Sequence, residues 1–214
     1  FGNGLDLTAV GTQTDFGNAL YGPSRVDSTQ NANFWNTVFS SDFAASGVNV
    51  WIDSVMYRDA NNNPQNFGSG VAALTFIHNW TYSPSDTAGS FARYATRGQL
   101  DITGINSGTA VINGAYHQDL SSQFVSVDST VRRDFNMTAN VANVNIQQVN
   151  GWSNHCPSSG SISVTVDLTY TKDSGSPVSS SWTFDITFNN GTATVNVTSG
   201  GETASYTHPF CSVN

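Results

Sequence analysis

The sequence is short of charge, and above all of positive charge. Only 10% of its 214 residues are charged, seven are Lys or Arg, and the formal net charge is −8. Lys172 is the single lysine, and Arg132-Arg133 is the only adjacent pair of cations. Binding to nucleic acid or to an anionic membrane surface needs clustered cations. We therefore expect no nucleic-acid partner.

Long hydrophobic runs are also absent. No apolar stretch approaches the roughly 20 residues that a membrane-spanning helix needs. The chain begins without an initiator Met, a charged n-region or an apolar h-region. These features favour an extracellular or cell-surface protein without a membrane span, in a mature form from which an export signal has been removed.

The chain lacks the spaced motifs of common enzyme and metal sites. It contains no G-x-S-x-G, its two cysteines do not form C-x-x-C, and Glu202 is its only glutamate. Its histidines show neither H-x-H nor H-E-x-x-H spacing; they are His78, His117, His155 and His208. The sequence therefore predicts neither an enzyme nor a bound cofactor.

What the sequence does have is regular alternation, most clearly near its C-terminus. Apolar residues occupy every second position over 162–170 and again over 182–188. This is the period of a strand that buries one face. Asn190-Gly191 then predicts a hairpin, because both residue types tolerate positive φ.

Two turns would set the register of this region. We expect two-residue loops at Asn190-Gly191 and at Gly200-Gly201. Both loops place apolar residues on one face; the predicted pairs are Phe188–Ala193, Ile186–Val195, Phe184–Val197, Val197–Ala204, Val195–Tyr206 and Ala193–His208. Because the two turns agree, we predict a C-terminal four-strand antiparallel meander.

The two cysteines flank this meander, with Cys156 before its first strand and Cys211 after its fourth. Both would lie at one end of the sheet. Four strands about 4.8 Å apart separate these ends by more than the Cα distance of about 5.5 Å that a bridge needs. Either residues 157–160 cross the end of the sheet or the sheet curls. We predict a disulfide that closes the meander, as is usual in exported proteins; two buried free thiols are the alternative.

The N-terminal part carries one helical pattern. Asp27 or Ser28 is a possible N-cap, and an apolar stripe follows with i, i+4 and i+8 spacing. Its residues are Phe34, Trp35, Val38, Phe39 and Phe43. We predict one short helix that covers an open end of the β structure. Residues 1–45 then form an N-terminal arm with this helix, and residues 46–214 form one antiparallel β domain.

The middle of the chain is a series of short alternating runs separated by Gly, Asn and Ser. One hairpin is expected around Asn113-Gly114, and a break is expected at Gly98, between two short strands. The whole pattern gives about 10–13 strands with frequent turns. We predict an all-β antiparallel sandwich, jelly roll or barrel.

One pair of carboxylates is a candidate site. If Tyr170 pairs with Trp182, the same register places Asp167 directly opposite Asp185 on the polar face. Two like charges at that distance need a cation or a shared proton. The pair could then be a calcium site or an acid/base pair. A two-residue offset between the strands would separate the carboxylates.

Surface modification and carbohydrate binding have their own candidates. The Asn-x-Ser/Thr sequons that could carry glycan begin at Asn79, Asn136, Asn190 and Asn196. About this number is expected by chance in a chain so rich in Asn, Ser and Thr. Trp152 lies in a polar stretch before Cys156, and an exposed Trp there would suggest stacking on a sugar.

The low content of Lys and Pro bears most directly on function. Soluble β proteins usually guard exposed sheet edges with Lys, Pro or inward-pointing charges. The edges of this chain must therefore be closed, covered or paired with another copy. We expect an extracellular structural or adhesive subunit that self-associates into oligomers or filaments, with Leu5, Leu7 and Ala9 as the candidate donor strand.

Two alternatives remain open at this point. A carbohydrate-binding β-sandwich would be distinguished by a row of exposed Trp or Tyr. A secreted hydrolase using Asp167 and Asp185 would be distinguished by a cleft between them.

Overall fold

The computed structural model describes residues 25–30, 34–44, 47–84, 89–147 and 157–209. Within these ranges the chain is all β, with twelve strands, one 3-10 turn at Ile105–Ser107 and no α-helix. The strands are β1 (Arg25–Gln30), β2 (Asn36–Ala44), β3 (Gly47–Arg58), β4 (Pro64–Gln65), β5 (Ala73–Pro84), β6 (Phe91–Thr103), β7 (Thr109–Val125), β8 (Thr130–Gln147), β9 (Pro157–Lys172), β10 (Val178–Asn189), β11 (Thr192–Ser199) and β12 (Glu202–Pro209).

All twelve strands belong to one antiparallel sheet. Eleven follow each other in chain order from β1 to β12, and the two-residue β4 pairs with β3 beside this path. No described strand joins β12 back to β1, so the sheet is open. The all-β antiparallel prediction is confirmed, while the sandwich, jelly roll or barrel is wrong for the described residues. Turn residues specify which strands become neighbours, but they do not specify a second sheet or closure.

The C-terminal meander is confirmed with its predicted register. β9, β10, β11 and β12 pair in that order, and all six predicted pairs of the last two hairpins are present. Both residues of each loop have positive φ, 44° and 78° at Asn190-Gly191 and 60° and 85° at Gly200-Gly201. This is the backbone of a two-residue hairpin whose twist matches the strands.

The predicted N-terminal helix is wrong. Residues Asn36–Ala44 form β2, which pairs with β1 and β3. Phe34 has a φ of 64°, which a right-handed helix excludes. β2 is built from Asn, Thr, Val, Phe, Ser, Asp and Ala, most of which are poor helix formers, and its Val, Phe and Thr favour strands. β2 and β3 also place sheet strands on both sides of the predicted boundary between residues 45 and 46.

The sheet has an apolar face and a polar face. Residues paired across neighbouring strands point to the same side. One such row on the apolar face consists of Tyr57, Leu74, Ile102, Ile112 and Val144 on β3, β5, β6, β7 and β8. One row on the polar face consists of Thr138, Thr165, Thr183, Thr198 and Thr203 on β8 to β12.

Two buried clusters lie on the apolar face at one end of the strands. The first contains Tyr57, Val71, Leu74, Ile102 and Ala110, and the second contains Val144, Phe188 and Ala193. The side chain of Ile112 packs against both clusters. Ile102 is fully buried, and each large apolar side chain buried in this way contributes about 1.5–3 kcal/mol. The clusters therefore hold the middle strands together although the sheet is open.

Two middle strands are longer than predicted because two glycines lie within them. Asn113-Gly114 forms a bulge in β7, where the register with β8 shifts between Ile112 and Gly114, and not a hairpin. β6 runs unbroken through Gly98, where an added Cβ would lie 2.9 Å from the ring of Tyr116. A glycine inside a strand marks a bulge or a close approach as often as an end.

Candidate functional site

β12 forms one edge of the sheet. Its eight residues pair with β11 on one side, and no described strand pairs with the other side. All eight residues are exposed, and Tyr206 keeps 54% of its surface accessible. Such an edge presents backbone N–H and C=O groups that can pair with a further strand.

The geometry of the turn before β12 tells which backbone groups point outward. A two-residue hairpin loop is closed by a hydrogen-bonded pair, which here is Ser199 and Glu202. Hydrogen-bonded and non-hydrogen-bonded pairs then alternate along the strand. Thr203, Ser205 and Thr207 therefore direct their backbone N–H and C=O groups away from β11.

Between Glu202 and His208 this edge carries none of the usual guards. β12 has no Lys or Arg, its register with β11 runs without a bulge, and its one proline, Pro209, is the last residue. Glu202 and His208 lie near opposite ends of the strand, with uncharged residues between them. A regular, unguarded edge of this kind favours strand addition.

The threonine rows of the polar face reach this edge. The row described above ends at Thr203, and a second row contains Thr187, Thr194 and Thr207. The Thr198 and Thr203 hydroxyl oxygens lie 2.9 Å apart, and those of Thr194 and Thr207 lie 3.4 Å apart. Cross-strand Thr pairs stabilise a sheet by fractions of a kcal/mol each. They also give the polar face a hydrogen-bonding surface that is poor in charge.

The apolar face also ends open at β12. Ile186, Val195 and Tyr206 form one row, while Phe184, Val197 and Ala204 form the next. Val195 is buried, but Ala204 and Tyr206 are exposed. The outermost apolar side chains thus have a neighbouring strand on one side only.

A cavity of about 420 Å³ opens on the polar face towards the other end of the strands. Its walls include three carboxylates on adjacent strands, Asp119, Asp134 and Asp167. Asn136 lies between Asp119 and Asp167 in one cross-strand row and donates to Asp119 Oδ1 at 2.7 Å. The carboxylate of Asp167 is exposed and accepts no hydrogen bond from a described residue. Arg93 also lines the cavity, so its walls carry three carboxylates and one guanidinium.

Two polar chains border this cavity. His117 Nε2 lies 2.8 Å from Asp119 Oδ2, and His117 Nδ1 lies 3.0 Å from the Thr138 hydroxyl. Arg132 donates through Nε and Nη2 to the two oxygens of Asp134, at 2.8 and 3.2 Å. The hydrogen bond from Arg132 holds the pKa of Asp134 below its ordinary value. These contacts position the carboxylates of Asp119 and Asp134, but not that of Asp167.

A second histidine, His78, is half-buried on the apolar face between two buried polar side chains. His78 Nδ1 lies 2.7 Å from Asp53 Oδ1, and His78 Nε2 lies 2.9 Å from the Thr96 hydroxyl. In the neutral tautomer of His78 with its proton on Nδ1, Nδ1–H donates to the Asp53 carboxylate and the Thr96 hydroxyl donates to Nε2. The order carboxylate, imidazole and hydroxyl is that of a nucleophilic triad.

Two further observations argue against catalysis by this group of Asp53, His78 and Thr96. Thr96 is only 4% exposed, so a substrate does not reach its hydroxyl. Its strand, β6, pairs with β5 and β7 through this position, which uses the backbone N–H groups that an oxyanion hole would need. The three side chains instead satisfy one another's hydrogen bonds within an apolar face.

The structure separates the predicted pair Asp167 and Asp185. Tyr170 pairs with Val178 and not with Trp182, so Asp167 lies opposite Ser181 and Asp185 lies opposite Ser163. The predicted register was wrong by four residues because it assumed a longer connection: the turn is residues 173–177, and the strands pair up to it. Both carboxylates stay on the polar face, about 13 Å apart along the strands. In the described part of the chain, no group of three His, Cys, Asp or Glu side chains is arranged to hold a metal ion.

The four sequons occupy different surroundings. Asn79 and Asn190 are exposed, Asn79 on β5 and Asn190 in the turn before β11. Asn196 is half-buried on the polar face, and Asn136 is half-buried and bonded to Asp119. Asn79 and Asn190 are therefore the two most accessible glycosylation candidates.

Several predicted residues lie outside the described residues. They are Leu5, Leu7 and Ala9 of the candidate donor strand, Cys156 and Cys211 of the disulfide, and Trp152. Of the described tryptophans, none is exposed. Two described tyrosines are exposed, Tyr82 on β5 and Tyr206 on β12, but they lie on distant strands and do not form a row with an exposed Trp.

Sequence reasoning missed the cavity and both histidine chains. In the sequence, His78 is 25 residues from Asp53 and 18 residues from Thr96. No short motif therefore marks this group. The threonine rows could have been found by extending the predicted hairpin registers across β10, β11 and β12.

Comparison with protein-family models, with characterised proteins and with solved structures finds no match for this chain. Among the described residues there is no helix long and apolar enough to cross a membrane.

Proposed function

We propose that this protein is an extracellular structural or adhesive subunit that self-associates by β-strand addition. The observation that carries the proposal is the outer edge of β12, which is fully exposed, regular and unguarded. Main-chain hydrogen bonds to such an edge supply affinity, and the alternating side chains supply specificity. An added strand would continue both faces of the sheet.

The composition supports an extracellular setting. The chain keeps its polar face soluble with Thr, Ser and Asn in place of Lys and Glu, and it has only one of each of the latter two. The segment containing Leu5, Leu7 and Ala9 remains the candidate donor strand for an open edge. The carbohydrate-binding alternative has weaker support. A sugar could bring its hydroxyl groups to the cavity lined by three carboxylates, but no described Trp is exposed to stack on the sugar ring.

A charge placed on the edge tests the proposal. Ser205→Lys adds a lysine to the edge strand, and Ser181→Lys adds the same residue to β10, an interior strand, at a position on the polar face that is also exposed. We expect the unsubstituted chain to show a mass that rises with concentration in light scattering. Ser205→Lys should shift the sample towards monomer, because edge lysines oppose strand pairing.

The control variant should associate like the unsubstituted chain. A mass equal to one chain at every concentration, in all three proteins, would count against self-association. Equal association of both lysine variants would place the contact somewhere other than β12.

A further inference from the structure

The geometry points to a specific partner for β12: we infer that it pairs antiparallel with β12 of a second copy, about a two-fold axis at Ser205. The inference rests on the proposed function and adds the partner strand, its direction and its register. It applies to one edge of the sheet and leaves the other edge to a different contact.

The sequence of β12 is complementary to itself in this register. Residues facing each other across a sheet must point to the same side, so only registers that pair even with even positions keep the two faces continuous. With Ser205 opposite Ser205 of the second copy, the remaining pairs are Glu202–His208, Thr203–Thr207 and Ala204–Tyr206, each formed twice. They combine a carboxylate with an imidazole, two hydroxyls, and a small with a large apolar side chain.

The backbone groups agree with this register. Thr203, Ser205 and Thr207 are the residues whose N–H and C=O groups point outward, and the register pairs these three only with each other. Shifting it by two residues towards the C-terminus would set Thr203 against Pro209, which has no N–H to donate. The opposite shift leaves residues 207–209 without partners. The Ser205 register is therefore the one in which every outward-facing pair exchanges both an N–H and a C=O.

The pairing continues the surface of each copy into the other. The row that ends at Thr203 would go on through Thr207, Thr194 and Thr187 of the second copy. On the apolar face, the ring of Tyr206, which is 54% exposed, would lie beside Ala204 of the second copy. Both faces of the sheet would remain unbroken across the two-fold axis.

A two-fold contact closes at two copies. Longer assemblies then need a second, different contact, for which the β1 edge and the candidate donor strand are available. The β12 pairing would act as the dimer unit from which such an assembly is built.

Single cysteines test the axis directly. Ser205→Cys places two thiols on residues paired across the axis, with Cα atoms about 5.5 Å apart, within the range of a disulfide. Thr203→Cys faces Thr207, so two copies of that variant keep their thiols about 13 Å apart along the strands. Thr207→Cys behaves in the same way, but a mixture of the Thr203→Cys and Thr207→Cys chains brings unlike thiols together.

We expect mild oxidation to convert Ser205→Cys to a covalent dimer, and the mixture to a mixed dimer. Thr203→Cys alone, Thr207→Cys alone and the interior control Ser181→Cys should give no dimer beyond that of the unsubstituted chain. The unsubstituted chain, oxidised in parallel, accounts for any bridge made by Cys156 or Cys211. All substituted positions are exposed or on the edge strand, so folding should be retained and is checked by circular dichroism.

The outcomes test the inferred axis and the proposed function separately. If the chain associates but Ser205→Cys does not crosslink, or Tyr206→Cys crosslinks in its place, the inferred axis is wrong while strand addition stands. If every variant stays monomeric by light scattering and none crosslinks, both the axis and the proposed function are wrong.

Discussion

Tyr57 carries a hydroxyl into the buried cluster of the apolar face. Only 3% of its surface is accessible, and its ring lies 5.2 Å from that of Phe67. Burial disfavours the ionised phenolate and raises the pKa of Tyr57 to about 12, from 10.0. The neutral side chain therefore stabilises the fold fully below pH 10, and this contribution is lost as the pH rises towards 12.

The Tyr57→Phe variant should consequently be less sensitive to alkali than the unsubstituted chain. Between about pH 9.5 and pH 11.5 we expect the free energy of unfolding of the unsubstituted chain to fall by about 2 kcal/mol more than that of the variant. Urea unfolding followed by Trp fluorescence measures both. Tyr82→Phe is the control, since Tyr82 is 40% exposed and lies away from the β12 edge, and it should leave the alkaline loss unchanged. Parallel curves for Tyr57→Phe and the unsubstituted chain would contradict the expected burial effect.

Residue-level chemistry was the part least open to prediction from the sequence. The Asp53, His78 and Thr96 chain depends on the pairing of β3 with β5 and of β5 with β6. Asp119, Asn136 and Asp167 likewise become neighbours only through the pairing of β7, β8 and β9. A pattern of alternation assigns each of these residues to a face, but contact between them needs the register of every intervening pair.

At the scale of single elements, prediction succeeded where the turn was two residues long. Asn190-Gly191 and Gly200-Gly201 leave one register for each hairpin, and both registers are confirmed. Between β9 and β10 the connection is longer, and the predicted register was wrong by four residues although the apolar face was right. Alternation preserves parity, whereas only the loop length determines which residues of one parity meet.

Gly114 shows how one residue shapes two elements. It lies in the bulge of β7 with a φ of 156°, and an added Cβ would lie 2.1 Å from the carbonyl oxygen of Gln99 on β6. The contact is with main chain, which cannot rotate aside as a flexible side chain can. Gly114→Ala must therefore push β6 and β7 apart. We expect a loss of about 2–3 kcal/mol in the free energy of unfolding, as in overpacked cores.

Two other glycines provide the controls for Gly114→Ala in the same urea titration. An added Cβ at Gly68 would meet no atom within 4 Å, so Gly68→Ala should change stability by less than about 0.5 kcal/mol. Gly108 is equally open but has a φ of 77°, so Gly108→Ala should cost about 1 kcal/mol through the backbone alone. If Gly114→Ala cost no more than Gly108→Ala, the close approach of β6 would be wrong.

The whole described molecule is one open sheet, and this determines how its stability is distributed. The buried clusters, with the side chains packed against them, join β3 to β7 and β7 to β11, whereas every residue of β12 is exposed. Few charges protect the outermost strand, in agreement with the composition. The same shortage of lysine that indicated unguarded edges in the sequence thus corresponds to a particular strand. What the composition could not supply was that the sheet stays open, because closure depends on the sum of many strand twists.

Amide hydrogen exchange measures both the distribution of stability along the sheet and the pairing of the β12 edge. Exchange should be slowest in β6, β7 and β8, whose amides lie between two paired strands, and fastest in β12. Within β12, the inward amides of Ala204, Tyr206 and His208 are bonded to β11 and should exchange more slowly than the outward amides of Thr203, Ser205 and Thr207. Raising the protein concentration should slow the outward amides specifically, since only they gain partners when a second copy adds its strand.

The inward amides of β12 and the amides of β10 serve as internal references, because their partners are already present in one chain. Dilution should restore fast exchange at Thr203, Ser205 and Thr207 while leaving the references unchanged. Outward amides that are as protected as those of β8 even in dilute solution would mean that a segment of the same chain already covers the edge. In that case β12 would be an interior strand of the complete molecule, and strand addition would have to act elsewhere.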